Sequence, residues 1–143
     1  MSENIDLAIK LFNETWNLID KTNRTDAETI TMLHKAHTSC YLWREANQPI
    51  NNARGEWQVS RVYSILDEGA LALQHGKQSL KICLDNGIGD FDLAFGYEAV
   101  ARAYKALGKT VQQKENKQLG IAACDAIADN DDLDYTIGNF ADL

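Results

Sequence analysis

The chain has 143 residues, 45% of them hydrophobic and 24% charged, with a single proline, Pro49, and a formal net charge of −7. This length suits one domain with a real core, and the scarcity of proline argues against a linker-rich or disordered chain. The acidic balance argues against generic binding to nucleic-acid phosphates or to anionic lipid.

The charge is uneven. From Asp129 onward there are five aspartates and no Lys or Arg, so residues 1–128 carry only −2. The opening "MSENIDLAIKLFNETW" has no basic start and no apolar run of signal length. No stretch approaches the ~18 apolar residues of a membrane span, so the expected location is the cytoplasm. Cys40, Cys83 and Cys124 lie far apart among apolar neighbours, with no CxxC, and read as reduced core residues.

Helix 1 is expected at about 4–20, where Ile5, Ala8, Ile9, Phe12, Trp16 and Ile19 recur at spacings of three and four. Helix 2 is expected at about 26–47, with Thr25 as N-cap and Glu28 completing a capping box; "NQPINN" ends it, because Pro49 disfavours helical geometry in the residue before it. Helix 3 spans about 52–66, started by Asn51 or Asn52 and broken by "DEG". Helix 4 spans about 70–85, closed by Gly87 in the left-handed conformation. Helix 5 spans about 91–107, with Asp90 as N-cap and Gly108 closing it, and helix 6 spans about 111–128. No alternating strand-type run occurs, so the chain reads as all-α.

Small residues mark a repeat. Ala36 and Ser39 recur 40 positions later as Gly76 and Ser79, and a further 44 later as Gly120 and Ala123. Val59, Ser60, Tyr63 and Leu66 recur as Val100, Ala101, Tyr104 and Leu107, all offset by 41; a turn three residues longer in "GKTVQQKEN" reconciles 41 with 44. Helix pairs recurring at about 40 residues indicate stacked hairpins, an α-solenoid of about six helices. Residues 1–128 then form one helical domain, and 129–143 an acidic-apolar tail.

The run Val100, Ala101, Tyr104, Gly108 resembles the first helix of a tetratricopeptide repeat, with Val59, Ser60 and Tyr63 a weaker match and Asp67 standing where the glycine belongs. Ala72, Gly76 and Ser79 resemble the small positions of the second helix. The resemblance covers roughly 54–127. "ARGEWQVSRVY" with "NGIGDFDLAFGYEAVARAY" also resembles an uncharacterised group of bacterial tetratricopeptide-like proteins, which implies a fold and no particular activity.

Helix 5 carries Glu98, Arg102 and Lys105 within about 60° of each other at ~100° per residue, on an otherwise apolar helix apart from Asp92 in its first turn. The resemblance implies that the first helix of each pair lines a concave groove. It places Phe95, Glu98, Arg102 and Lys105 there from helix 5, and Arg54, Trp57, Arg61 and Ser64 from helix 3. Such a groove is basic, with four cations against Glu98, and has Trp57 and Phe95 as apolar platforms. Guanidinium forks pair with carboxylates and aromatic floors anchor side chains, so its expected partner is a protein or peptide segment that is acidic or C-terminal. The chain's own tail, "DNDDLDYTIGNFADL", has matching chemistry. It is expected to fold back on the last helix or to enter a neighbour's groove.

Other chemistry has thinner support. His34, His37 and Cys40 share one side of helix 2, yet three residues at that spacing fall short of a metal site. Asp90 and Asp92 have capping and helix-dipole roles, and "GIGD" lacks the remaining glycines and lysine of a phosphate loop. No catalytic arrangement and no cofactor is expected. An alternative reading is a small-ligand or metal protein with a pocket around His37, His75 and Glu98. A third is a self-associating structural domain forming a homodimer.

Overall fold

The structure, a computed structural model, describes residues 2–143, with Ser2 described by its backbone alone. Among the described residues it has seven α-helices and no strand: α1 (Ser2–Ile19), α2 (Asp26–Glu45), α3 (Pro49–Ile65), α4 (Gly69–Asp85), α5 (Asp90–Ala106), α6 (Thr110–Ala123) and α7 (Asn130–Gly138), with a short 3-10 turn at Cys124–Ala126.

Four helix ends share one device. Asn47, Asp67, Gly87 and Gly108 all have positive φ, between 54° and 71°. After each, the next N–H reaches back five residues to a carbonyl of the preceding helix: Gln48 to Trp43, Glu68 to Tyr63, Ile88 to Cys83 and Lys109 to Tyr104. These are Schellman-type stops that satisfy the carbonyls a helix end leaves open. Asn and Asp tolerate the left-handed conformation, so Asp67 does the work of the expected glycine. The tight turns fold successive helices back as antiparallel hairpins.

Capping differs from expectation at two places. The Thr25 capping box is present in both directions, with Glu28 N to Thr25 Oγ1 at 3.1 Å and Thr25 N to Glu28 Oε1 at 3.0 Å. Pro49, however, opens α3 rather than preceding it. Its missing N–H falls where a helix start leaves a donor unpaired anyway, so neither Asn51 nor Asn52 is the cap. Asp90 has φ 55° and accepts from the adjacent Phe91 N–H, leaving Gly89 as the N-cap of α5.

The hairpins stack in two layers. Each helix from α1 to α5 packs on the next, and α1–α3, α3–α5 and α5–α7 also touch, so the odd-numbered helices form one layer. Small buried residues permit the close approach. A Cβ on Gly76 would lie 3.2 Å from the Ala99 backbone, and three buried serines donate to backbone carbonyls across helix pairs: Ser39 to Ala8, Ser60 to Ala72 and Ser79 to Ala53, at 2.7–2.8 Å. Met32, Ala36, Cys40, Val59 and Val62 form one core cluster beneath them. All three cysteines are buried and free; burial pushes the Cys83 thiol up to about 11 and raises Cys40 and Cys124 as well, so none is an activated nucleophile.

The expected longer turn before helix 6 does not occur. Leu107–Lys109 is as short as Leu66–Glu68, and the positive-φ residues there keep the 41-residue offset. Gly120 therefore corresponds to Ser79 rather than to Gly76, one helical turn along. There it faces Phe140, whose ring would lie 2.4 Å from a Cβ at that position. Helix 6 also stops at Ala123 instead of 128.

Residues 129–143 are built into the fold. Asp129 caps α7 by accepting from Asp132 N at 2.8 Å, and α7 packs on α5 where a further odd-layer helix would stack. Phe140, Leu143, Ile127, Cys124, Ala94 and Ala101 form a buried cluster between this segment, α5 and the end of α6. The segment covers the apolar end of the stack, which terminal elements of solenoids need. No helix of the described residues is long and apolar enough to cross a membrane.

Candidate functional site

Glu98 is the hub of the odd-layer face. It is fully buried, on α5, and its carboxylate has three side-chain donors. Trp57 Nε1 donates to Oε1 at 2.8 Å, Arg61 Nη2 to Oε2 at 3.1 Å and Arg102 Nε to Oε2 at 2.5 Å. Trp57 and Arg61 come from α3 and Arg102 from α5, so the carboxylate ties two hairpins together. A buried charge is tolerable only when paired and hydrogen-bonded, and here both conditions hold. The Arg61 guanidinium also lies 5.2 Å from the Trp57 ring centroid.

The other predicted residues lie along the same face. Arg54 forms a two-pronged pair with Asp92, Nε to Oδ1 at 2.9 Å and Nη2 to Oδ2 at 3.0 Å, and sits over the Phe91 ring. Arg102 also meets Asp142 through Nη1 at 2.6 Å and Nη2 at 3.0 Å, and donates to the Asn139 carbonyl. Lys105 donates to the Asp142 backbone oxygen at 2.7 Å. Burial works against the Arg102 charge, but the Asp142 and Glu98 carboxylates outweigh it and raise its pKa; the same hydrogen bond from Arg102 lowers Asp142 to about 2.

These pairings correct the expected charge balance. Four cations were set against Glu98 alone; the structure adds Asp92 and Asp142, so Arg54 is neutralised and Arg102 is shared. Arg61 gives Glu98 a single nitrogen, and Lys105, half exposed, lies 3.8 Å from Asp142 Oδ2, so each cation of this end of the face has a carboxylate partner. A hollow of about 410 Å³ opens there, lined by Arg61, Ser64, Ile65, Arg102, Lys105 and Asp67. The Ser64 hydroxyl is buried and has no protein partner.

Aromatic rings run across all four odd-numbered helices. Trp16, Trp57, Phe95 and Tyr135 follow one another with centroids 5.5, 5.3 and 6.1 Å apart. Phe12 and Phe91 adjoin this row through Trp16 and Phe95. They enclose a half-open, mainly apolar cavity of about 150 Å³ with the Arg54–Asp92 pair at its rim. Trp57 and Phe95 were expected here; Trp16, Phe91, Asp92, Tyr135 and Asp142 were not. Trp16 carried a signal, since it precedes Trp57 by 41 positions, the repeat offset.

No protein-family model matches the chain, and neither a curated protein nor a solved structure matches it.

The alternative set of His37, His75 and Glu98 does not come together. His75 Nδ1 faces Glu56 at 3.2 Å, His37 Nε2 meets the Tyr63 hydroxyl at 2.8 Å, and Glu98 is engaged on the odd-layer face. The two imidazoles lie 5.4 Å apart beside a polar hollow of about 390 Å³ between α2, α3 and α4. Cys40 Sγ lies 3.3 Å from Glu56 Oε1 there. Among the described residues, no three His, Cys, Asp or Glu side chains are arranged to hold a metal ion.

Proposed function

We propose that the chain is a tetratricopeptide-like protein–protein interaction module of the cytoplasm, whose odd-layer face binds an acidic peptide segment bearing a large apolar side chain. The observation that carries this reading is the shared Glu98 carboxylate. It holds Arg61 and Arg102 from successive hairpins on one face, with the aromatic cavity to one side and the Arg61–Lys105 hollow to the other. Pre-ordered guanidinium groups beside a rigid aromatic floor are the chemistry of interface anchors, because little side-chain freedom is lost on binding.

An incoming carboxylate meets Arg61 and Lys105 first and competes with Asp142 for Arg102. An apolar side chain enters the aromatic cavity, whose volume is similar to a cavity that accepts benzene. The test is titration calorimetry with a synthetic peptide combining Asp residues with a Leu or Phe. Binding is expected to weaken about tenfold in Arg61→Ala and to weaken further from low to high salt. Equal affinity for wild type and Arg61→Ala, with no response to salt, would overturn the reading.

A further inference from the structure

The hollow between α2, α3 and α4 gathers titratable groups that the odd-layer face does not use. Its volume is about 390 Å³, and its wall includes His37 and Arg44 of α2, Glu56 of α3, and Gln74, His75 and Gln78 of α4. At ~30 Å³ per water that is room for about a dozen waters, or for a small ion with part of its hydration shell. The guanidinium, both imidazoles and the two amides can all donate hydrogen bonds, and Glu56 is the one carboxylate of the lining.

Protonation leaves this cluster short of acceptors. Glu56 is already engaged, by His75 Nδ1 at 3.2 Å and by Cys40 Sγ at 3.3 Å. His37 Nε2 meets the Tyr63 hydroxyl at 2.8 Å. A protonated imidazole carries two N–H donors. His75 gives one to Glu56 and His37 gives one to the Tyr63 oxygen. Among the described residues, the second nitrogen of each ring has no hydrogen-bond partner. Arg44 makes no ion pair among the described residues either.

Charge points the same way. The titratable groups around His37 are His34, Cys40 and Arg44 on its own helix, Glu56 and Tyr63 on α3, and His75 on α4. With both imidazoles neutral, Arg44 and Glu56 balance. With both protonated, Arg44, His37 and His75 stand against Glu56 alone, and His34 adds to the excess. Burial and the neighbouring His75 charge already oppose a proton on His37.

We propose that this hollow is a proton-linked site for a small oxyanion, held by Arg44 and by the protonated rings of His37 and His75. The anion supplies the acceptors and the negative charge that the cluster lacks in acid. It therefore binds more tightly as pH falls, and its binding draws a proton onto His37. The site lies apart from the odd-layer face and is independent of the peptide-binding reading.

The experiment follows the ring protons of all three histidines in the full chain by NMR, from about pH 8 to about pH 5. The chain is titrated in chloride, sulfate and formate at matched ionic strength; both oxyanions keep their charge over that range. Saturating oxyanion is expected to raise the His37 pKa by about one, which by linkage is a tenfold tighter hold on the protonated site. A rise with sulfate alone assigns a tetrahedral anion and a rise with formate alone a carboxylate; either supports the site. Arg44 is exposed, so Arg44→Gln is expected to leave the helical circular dichroism unchanged and to remove most of the rise. His34, outside the lining, is expected to move much less. The same His37 titration in all three salts overturns the proposal. So does a rise that is equal at His34, or one that persists in full in Arg44→Gln, because each reports general screening.

Discussion

Arg61 and Arg102 bond to the same oxygen, Oε2 of Glu98, although 41 positions separate them. They occupy equivalent places on successive odd-layer helices, since 41 is also the offset between Asp67 and Gly108 at the turns that follow. Trp57 is the repeat equivalent of Glu98 and donates to its other oxygen. The site is thus a product of the repeat: equivalent positions on stacked helices become neighbours.

Replacing Glu98 removes the one acceptor shared by three donors. Breaking a buried ion pair typically costs about 3–5 kcal/mol, and the lower end applies here because Arg61 and Arg102 can reach water. Glu98→Ala is expected to lose about 3 kcal/mol in urea denaturation and to change Trp57 fluorescence. A loss below about 0.5 kcal/mol would contradict the hub role.

Phe140 anchors the C-terminal segment against Gly120. Phe140→Ala should cost about 3–4 kcal/mol as the buried cluster loses its largest member. Gly120→Ala should also destabilise, because the new methyl would collide with the ring. Hydrogen exchange is expected to rise first in α7 and at the end of α6, and unchanged protection there would refute the anchoring.

Asp142 competes internally for Arg102 and Lys105. Asp142→Asn should tighten binding of an acidic peptide several-fold, and unchanged or weaker binding would contradict that role. Its lowered pKa sets the acid behaviour of the contact. The pairing contributes fully above the ordinary value of 3.8 and is lost as pH falls through about 2, so the Asp142 carboxyl resonance should titrate in that window.

His37 behaves differently. Burial, reinforced by the nearby His75 charge, holds its pKa below the usual imidazole range. The unfolded chain therefore takes up the proton first as pH falls through ~6.5, and stability present above that pH declines towards the depressed folded value. Denaturation at pH 7.5 and 5.5 should show the decline, and His37→Gln should reduce it; an equal slope in both proteins would assign it elsewhere.

The helices and their stacking were legible because periodicity and turn residues act locally; the small residues of α2 and α4 share one offset, but Gly120 and Ala123 did not continue it, because the turn before α6 is as short as the one before α4. The C-terminal segment was harder. Its apolar residues pointed to folding back on the last helix or into a neighbour's groove, but only tertiary packing shows that Phe140 and Leu143 are buried. Pro49 and Asp90 were misplaced because their types suit either side of a helix start. That Arg54, Trp57, Arg61, Phe95, Glu98, Arg102 and Lys105 lie along one face was expected from the resemblance, but their charge balance was not: Asp92 serves as a first-turn acid as well as the partner of Arg54, and Asp142 reaches Arg102 only through the fold of α7. Trp16 enters the sequence reading only through the periodicity of helix 1, although its 41-residue offset from Trp57 marks it as part of the aromatic row.

The most direct measurement is the map of amide shifts in a two-dimensional nitrogen–proton NMR spectrum during titration with a peptide carrying one Phe and one Asp. Binding along the odd-layer face predicts concerted shifts at Trp57, Arg61 and Ser64 of α3 and at Phe95, Arg102 and Lys105 of α5, with Tyr41, Gln74 and Gln78 beside the α2–α4 hollow unmoved. Shifts confined to that opposite hollow, or none at saturating peptide, would contradict the account.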